Sequence, residues 1–413
     1  MEAVPKAEEQ QQASKAPEEA FDPTFSYKRH VQFLKANLNV LPTPYQGQDS
    51  NRLTVLYFVV SALDLIGRLD LVDKQQAIEW IYSLQIVPPS KPHPDDKPRW
   101  GFRGSPFLGL PWNPSCVTLS LLLFIFLLFS LLSFTLISLS SLLSLTHNSL
   151  VFFRLATDNN IYENQVAPET GLFLDQSHIA VTYTALCTLR ILGDDYSRVD
   201  RKAIIAGLKG LQCKDGSFCP VIAGSESDVR FIYCAAAISH MLQDWSGVNV
   251  DAAVQYILSS QSYEGALAQG PGQEAHGGST YCALAALTLM EALPKLPHRD
   301  TLLQWLIERQ ISGFQGRVNK DPDTCYSFWV GGSLSILGAI DLVNKELTQG
   351  FTFSCQTNYG GFSKCPGVHP DLLHTYFSLC GLSLTGSPGF AALEPSLGVT
   401  VRAATGLKPR SQL

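Results

Sequence analysis

Residues 279–289 read STYCALAALTL: one tyrosine, then a run of small and apolar residues without a charge. A helix that is apolar on every side must be buried on every side, so this is an inner helix rather than a surface one. Four other segments share the arrangement: AVTYTALCTL (180–189), RFIYCAAAIS (230–239), TCYSFWVGGSL (324–334) and HTYFSLCGLSL (374–384). Their tyrosines are Tyr183, Tyr233, Tyr281, Tyr326 and Tyr376.

A second ladder runs in step. Gln212, Gln261 and Gln356 each precede a glycine by four residues (Gly216, Gly265, Gly360), and Gln310 holds the same place with a shifted Gly313. The spacings are 49, 49 and 46 residues. Amphipathic partners such as 248–258 and 301–309 suit an outer layer. Upstream, 30–41 reads as a short helix, 51–71 as a long apolar one and 74–84 as an amphipathic one. Repeated helix pairs of this length stack into an open solenoid or close into a ring. In a ring, the N-terminal ends of all inner helices meet at one mouth. His178, Arg230, His276, Asp323 with Cys325, and His374 come just before those tyrosines and would line that mouth, and they are most of the site-type residues in the chain.

Composition narrows the rest. Thirty basic against 36 acidic residues give no general nucleic-acid footprint. Ten cysteines stand singly with no CxxC pair, as expected for reduced thiols in the cytoplasm. The first 24 residues lack the apolar stretch of a secretory signal and read as a disordered tail.

Residues 117–153 break the pattern. From Leu119 to Leu145 everything except Ile125, Thr135 and Ile137 is Leu, Ser or Phe, and no Asp, Glu, Lys or Arg falls between Arg103 and Arg154. Length and apolarity meet the transmembrane criterion of about 20 residues. Three readings compete: a membrane anchor, an insertion helix docked on the domain, and non-native sequence from an unremoved intron. The last is favoured, because Leu, Ser and Phe share pyrimidine-rich codons and the repeat resumes at His178. Membrane contact is expected only if this segment is real.

The chemistry concentrates in GFQGRVNKDPDTCYSFW, 313–329. Asp323, Cys325 and His374 are candidate zinc ligands, since zinc takes carboxylate, thiolate and imidazole and a catalytic site keeps one position open. A buried cysteine beside a capping aspartate is the plainer alternative. Arg317, Lys320 and His276 are candidates for a diphosphate clamp, with Tyr326 as a further donor; a solvated basic loop is the alternative. Tyr233, Tyr281, Tyr326, Trp329 and Tyr376 could wall an apolar funnel or simply fill the core, and periodicity does not decide between these.

GFQGRVNKDPDTCYSFWVGG, AQGPGQEAHGGSTYCALA, DVRFIYCAA, LQCKDGSF and GGFSKCPGVHPDLLHTYFSLCGLSL closely resemble the beta subunits of protein prenyltransferases, the type I geranylgeranyl branch best. The resemblance covers roughly 29–115 and 175–384. It implies an all-α fold, an alpha-alpha barrel (toroid) over 25–387, interrupted by the 116–174 insertion and followed by a tail, 388–413, without an assigned role. It implies pairing with a helical-repeat alpha subunit, and zinc on Asp323, Cys325 and His374. It implies geranylgeranyl diphosphate on His276, Arg317, Lys320 and Tyr326, with Trp329 and Phe58 lining the lipid pocket. Arg230 matches an arginine reaching the acceptor peptide's C-terminal region. The implied acceptors are proteins with a C-terminal CaaX sequence ending in Leu or Phe, small GTPases among them.

Two positions single out the branch. Thr54 stands where farnesyltransferases have a bulky Trp, which leaves room for a fourth isoprene unit. Lys364 stands where they have a magnesium-binding Asp, so magnesium is expected to be dispensable. Other outcomes are an inactive splice variant, a farnesyltransferase-type relative, or a terpene cyclase, the last weakened by the lack of a D-x-D-D acid motif.

Overall fold

The computed structural model describes residues 18–38, 43–88, 99–106, 177–222 and 224–413. All of the described residues belong to one compact unit. The insertion expected at 116–174 and most of the expected N-terminal tail lie outside the described residues. In chain order the helices are α1 (Tyr27–Ala36), α2 (Arg52–Leu65), α3 (Lys74–Ser83), α4 (Ile179–Leu192), α5 (Arg201–Leu211) and α6 (Val229–Leu242). They continue with α7 (Val250–Ser259), α8 (Gly277–Leu289), α9 (Arg299–Ile307), α10 (Tyr326–Ile336), α11 (Lys345–Ser354), α12 (Leu372–Leu384) and the short α13 (Val401–Ala404). Among the described residues, three two-residue strand pairs join them: β1 (Gln85–Ile86) with β2 (Gly101–Phe102), β3 (Phe362–Ser363) with β4 (Pro370–Asp371), and β5 (Leu393–Glu394) with β6 (Val399–Thr400), all antiparallel.

The even-numbered helices from α2 to α12 are the inner layer. Each packs on the next, and α12 packs back on α2, so the repeat closes into a ring. The odd-numbered helices α1 to α11 lie outside. Several start on an Asp or Asn whose side chain accepts an N–H of the first turn: Asp73, Asp200, Asn249 and Asn344.

The glutamine ladder has a physical cause. Gln212 binds both backbone groups of Asn249, the cap of the next outer helix, at 3.0 and 2.8 Å. Gln310 does the same to Asn344 at 2.7 and 2.9 Å. Gln261 donates to Pro297 O at 3.1 Å. Gln356 closes the circle, accepting from Ser26 N at 2.9 Å and donating to Thr24 O at 2.9 Å, beside the start of α1. The glycine four residues on lets the loop press against the neighbouring outer helix. At Gly360, φ is +82° and a Cβ would lie 2.1 Å from Arg29 O. Sequence reading began this ladder one rung late: Gln85 binds Asp200 N and Arg198 O in the same way, at 2.9 and 3.1 Å.

Three expectations need correction. The helix expected over 30–41 runs instead from Tyr27 to Ala36. The helix expected over 51–71 stops at Leu65. Gly67 takes a left-handed φ of +69°, and the Arg68 N–H turns back onto Leu63 O at 2.7 Å. The tyrosine ladder also slips at one rung. Tyr183, Tyr233, Tyr281 and Tyr376 each lie five residues after His178, Asp228, His276 and Asp371, the residues capping their helices. Five residues after Asp323 comes Phe328, not Tyr326.

The ladder tyrosines do not wall a funnel with their hydroxyls free. With Tyr57 of α2 they form a buried chain: Tyr376–Tyr57 3.0 Å, Tyr57–Tyr183 3.3 Å, Tyr183–Tyr233 3.1 Å and Tyr233–Tyr281 3.4 Å between oxygens. Contact at the same distance from the helix start, repeated on one inner helix after another, fits helices that run parallel and in register. The chain is capped by carbonyls of the C-terminal segment: Tyr281 donates to Pro395 O at 2.8 Å, Tyr183 to Leu397 O at 2.8 Å, and Tyr57 to Gly398 O at 3.1 Å.

The segment after 388, given no role by sequence, thus forms the floor of the barrel. It continues along the C-terminal ends of the inner helices. Arg402 binds Asp64 and Ile191 O, at 2.8 and 2.9 Å, Lys408 N binds Gln243, and Ser411 binds Glu291. Among the described residues no helix is long and apolar enough to cross a membrane.

Candidate active site

Parallel inner helices bring their N-termini to one mouth, and the expected residues stand there. His178 and His276 cap α4 and α8, Arg230 is the second residue of α6, and Cys325 precedes α10 with Asp323 two residues before it. His374 lies in the first turn of α12.

Asp323, Cys325 and His374 converge, with one ligand atom of each within 4.8 Å of the others. Their elements explain why. Asp323 Oδ1 accepts the Cys325 N–H at 2.9 Å, which folds the two side chains toward one side of the turn before α10. Thr324 N donates to Lys364 O at 3.0 Å, tying that turn to the loop that leads into α12. His374 Nε2 then lies 3.3 Å from Asp323 Oδ1. Its Nδ1 lies 2.5 Å from Asp371 Oδ2, while Asp371 Oδ1 accepts the His374 N–H at 2.8 Å.

The electrostatics of this cluster ask for a cation. Burial pushes the Cys325 thiol well above its ordinary value, and the Asp323 carboxylate pushes it further. For His374, burial opposes the charged form, but hydrogen bonds to Asp323 and Asp371 outweigh it and lift the ring from 6.5 to about 9. Asp323 is raised by burial, then drawn below its ordinary value by His374 and Cys325. Thiol, imidazole and carboxylate are a zinc donor set, and an outer carboxylate on the far nitrogen of the ring is its usual support. The residues present fit that metal.

Next to the cluster is an open cavity of about 530 Å³. Arg317, Lys320 and Lys364 line it, together with Asp323 and Tyr326. Lys364 Nζ is 3.8 Å from Asp323 Oδ2. Arg317 pairs with Glu274 at 2.9 Å. The His276 ring nitrogen Nδ1 accepts N–H groups from Gly278 and Ser279 at 3.1 and 3.4 Å, so its proton is on Nε2. Nε2–H then donates to the Tyr326 oxygen at 3.0 Å, which leaves the Tyr326 O–H free to donate toward the cavity. Burial first, and the Arg317 charge second, keep His276 below its ordinary pKa and hence neutral.

Arg230 is held by both oxygens of Asp228, at 2.7 Å for the shortest contact, and does not line this cavity. Thr54 and Phe58 do not line it either. They lie in the first two turns of α2, half-buried, and Phe58 packs on Tyr376 and Phe377 with centroids 5.8 and 5.9 Å away. Trp329 is half-buried against Phe377, 4.4 Å between centroids, so Phe58, Phe377 and Trp329 form one continuous aromatic surface.

The comparisons with known proteins agree with this architecture. The model of the prenyltransferase alpha-alpha toroid domain matches residues 25–399. The chain belongs to the prenyltransferase alpha-alpha toroid family. Within it, the chain is 36% identical over 395 residues to a geranylgeranyl transferase type-1 subunit beta of Arabidopsis thaliana, covering 93% of this chain and 91% of that one. It is 38% identical over 380 residues to the subunit of the same name from Dictyostelium discoideum, covering 91% and 95%. A Candida albicans protein geranylgeranyltransferase-I, solved in complex with GGPP, shares the fold with a TM-score of 0.68 at 24% identity, over 94% of this chain and 99% of that one. The chain groups with the type 1 beta subunits of this prenyltransferase family.

Sequence reading missed three residues of the site. Asp371 orients His374, and its signal was present as a capping Asp three residues before a candidate ligand. Glu274 pairs with Arg317 across 43 residues, and no spacing rule announces that. Phe377 joins Trp329 to Phe58, and inside the run 374–384 it carried no signal of its own.

Proposed function

We propose that this chain is the catalytic beta subunit of a zinc-dependent type I protein geranylgeranyltransferase that works with an alpha subunit in the cytoplasm. It transfers the C20 group of geranylgeranyl diphosphate to the cysteine of a C-terminal CaaX sequence ending in Leu or Phe. The observation that carries the reading is the meeting of Asp323, Cys325 and His374 beside the cavity lined by Arg317, Lys320 and Lys364.

Asp323, Cys325 and His374 would hold zinc, which would supply the Lewis acidity that lowers the acceptor thiol's pKa. The acceptor sulfur attacks C1 of the donor, the bond from C1 to the diphosphate oxygen breaks, and the electron pair leaves with the diphosphate. Arg317 and Lys320 bind the leaving oxygens and stabilise the charge that grows on them. Tyr326 adds an O–H donor, oriented by His276. Lys364 supplies positive charge on the same side, so magnesium is not required. Trp329 and Phe58, with Phe377, contact the isoprenoid, and Thr54 leaves room for its last unit. Arg230, fixed by Asp228, faces the acceptor's C-terminal end.

We assign the barrel to 25–387, with the floor segment after it, and take 116–174 as sequence foreign to the active heterodimer. Metal analysis tests the central part. The protein lacking 116–174 is expected to carry one zinc per chain, and Cys325→Ala to lose it. Stoichiometric zinc in that variant overturns the ligand assignment.

A further inference from the structure

The cysteines of the described residues fall into two kinds. Among the described residues, Cys187, Cys234, Cys282, Cys325, Cys355 and Cys380 are buried. Cys213, Cys219 and Cys365 are partly exposed, and the sulfurs of Cys213 and Cys219 are 3.4 Å apart. These two sit on one small hairpin loop that follows α5. Gln212 bridges Phe218 in antiparallel fashion, and alternation along each arm turns both neighbours, Cys213 and Cys219, to the opposite face. Cys213 N donates to Ser217 O at 2.8 Å and Cys219 N to Leu211 O at 3.0 Å, which fixes the two arms. Gly216, with φ at +95°, makes the turn between them, and Asp215 holds Ser217 N and Oγ at 3.0 and 2.7 Å.

We propose that Cys213 and Cys219 are an oxidisable dithiol, converted by hydrogen peroxide to a disulfide within this loop. The sulfurs must approach by about 1.4 Å to reach a bond length of about 2.0 Å. That movement is within the reach of two χ1 rotations on a surface loop. The two sulfurs are in hydrogen-bond contact, and burial together with that contact holds the Cys219 thiol above its ordinary value. The Cys213 sulfur attacks one peroxide oxygen, the O–O bond breaks, the thiol proton goes to the departing hydroxyl, and a sulfenic acid and one water form. The Cys219 sulfur then attacks the Cys213 sulfur, the S–O bond breaks, and the hydroxyl leaves as a second water with the Cys219 proton. Two thiols and one peroxide give one disulfide and two waters, with two electrons passed to the peroxide.

The loop's position makes the modification more than local. Pro220 O accepts the Ile179 N–H at 2.9 Å, directly after His178, and Phe218 bridges Asp228, the residue that holds Arg230. The dithiol therefore lies between two inner-helix starts on the rim, joined to both by backbone hydrogen bonds. It is separate from the zinc and diphosphate residues, which come from the starts of α8, α10 and α12 and the loops before them.

The test uses the heterodimer containing the chain without 116–174, treated with graded hydrogen peroxide, quenched with an alkylating reagent and digested with trypsin. Lys214 lies between the two cysteines, so trypsin cuts there. A disulfide then appears as the two flanking peptides joined, released by reductant. The expected result is this joined pair, with loss of two alkylatable thiols per chain, absent in Cys213→Ser and in Cys219→Ser. In Cys219→Ser, Cys213 is expected to stop at the sulfenic acid and to be trapped by a cyclic 1,3-diketone. The proposal fails if both cysteines stay alkylatable at peroxide doses that oxidise Cys365, or if Cys213 pairs with any other cysteine.

Discussion

Asp371 offers a way to separate orientation of the site from stability of the fold. Its two oxygens have different tasks: Oδ1 caps α12 through His374 N at 2.8 Å, and Oδ2 binds His374 Nδ1 at 2.5 Å. Asp371→Asn keeps the first. Asn and Asp cap helices about equally, so the cost to the fold should stay under about 1 kcal/mol. The second is lost as a carboxylate contact. An amide nitrogen turned toward Nδ1 would favour the other tautomer and put a proton on Nε2, the nitrogen that faces Asp323. A hydrogen bond to a charged group contributes about 1.5–3 kcal/mol. That matches the roughly 10–100-fold that outer-shell partners contribute to metal affinity. Zinc affinity measured by chelator competition should fall in that range, with an almost unchanged melting temperature. Asp371→Ala should lose both tasks and cost about 1 kcal/mol more in stability. Wild-type zinc affinity in Asp371→Asn would refute the orienting role. A large loss of stability with unchanged zinc would assign Asp371 to the helix alone.

Two further outcomes are expected. With magnesium chelated and zinc retained, the rate should persist because Lys364 supplies the charge; a fall beyond about tenfold, roughly 1.4 kcal/mol of barrier, would refute this. The second concerns His30, which is buried between Phe25 and Phe362, each 4.6 Å away, with Nδ1 accepting the Gly361 N–H at 3.0 Å. Burial lowers it from 6.5 to about 4, so it is neutral in the fold and the unfolded chain binds its proton first. Its contribution is full above about pH 6.5 and is lost as pH falls toward 4. About 2 kcal/mol should go between about pH 7.5 and 5. Denaturant titrations at both pH values should show a smaller loss in His30→Leu, and equal losses would exclude His30 as the cause.

Much of the ring was legible because burial leaves a strong trace. Helices surrounded on all sides must be apolar on all sides, and the Gln-x3-Gly loops recur because every outer helix meets its neighbour in the same way. The misreadings came where local pattern and three-dimensional register diverge. Tyr326 looked like a rung of the tyrosine ladder, but register from the capping position selects Phe328, and this frees Tyr326 to face the cavity. Tyr57 was overlooked because it comes from the first inner helix, before the repeat seemed to begin. The floor segment carries no repeat signal at all. It presents backbone carbonyls to the tyrosine hydroxyls, and any sequence has carbonyls. Asp323, Cys325 and His374 were readable as types of residue, whereas the Asp371 and Glu274 partnerships depend on loop geometry that spacing does not encode.

The proposed donor tests the account most directly. The heterodimer containing the chain without 116–174 should be given equal amounts of C20 and C15 prenyl diphosphates and a CaaX peptide ending in Leu, and the products resolved by mass. The account predicts mainly the C20 thioether, with Thr54→Trp shifting the ratio toward C15. A C15 product from the unaltered chain, or no thioether from either donor, would contradict it.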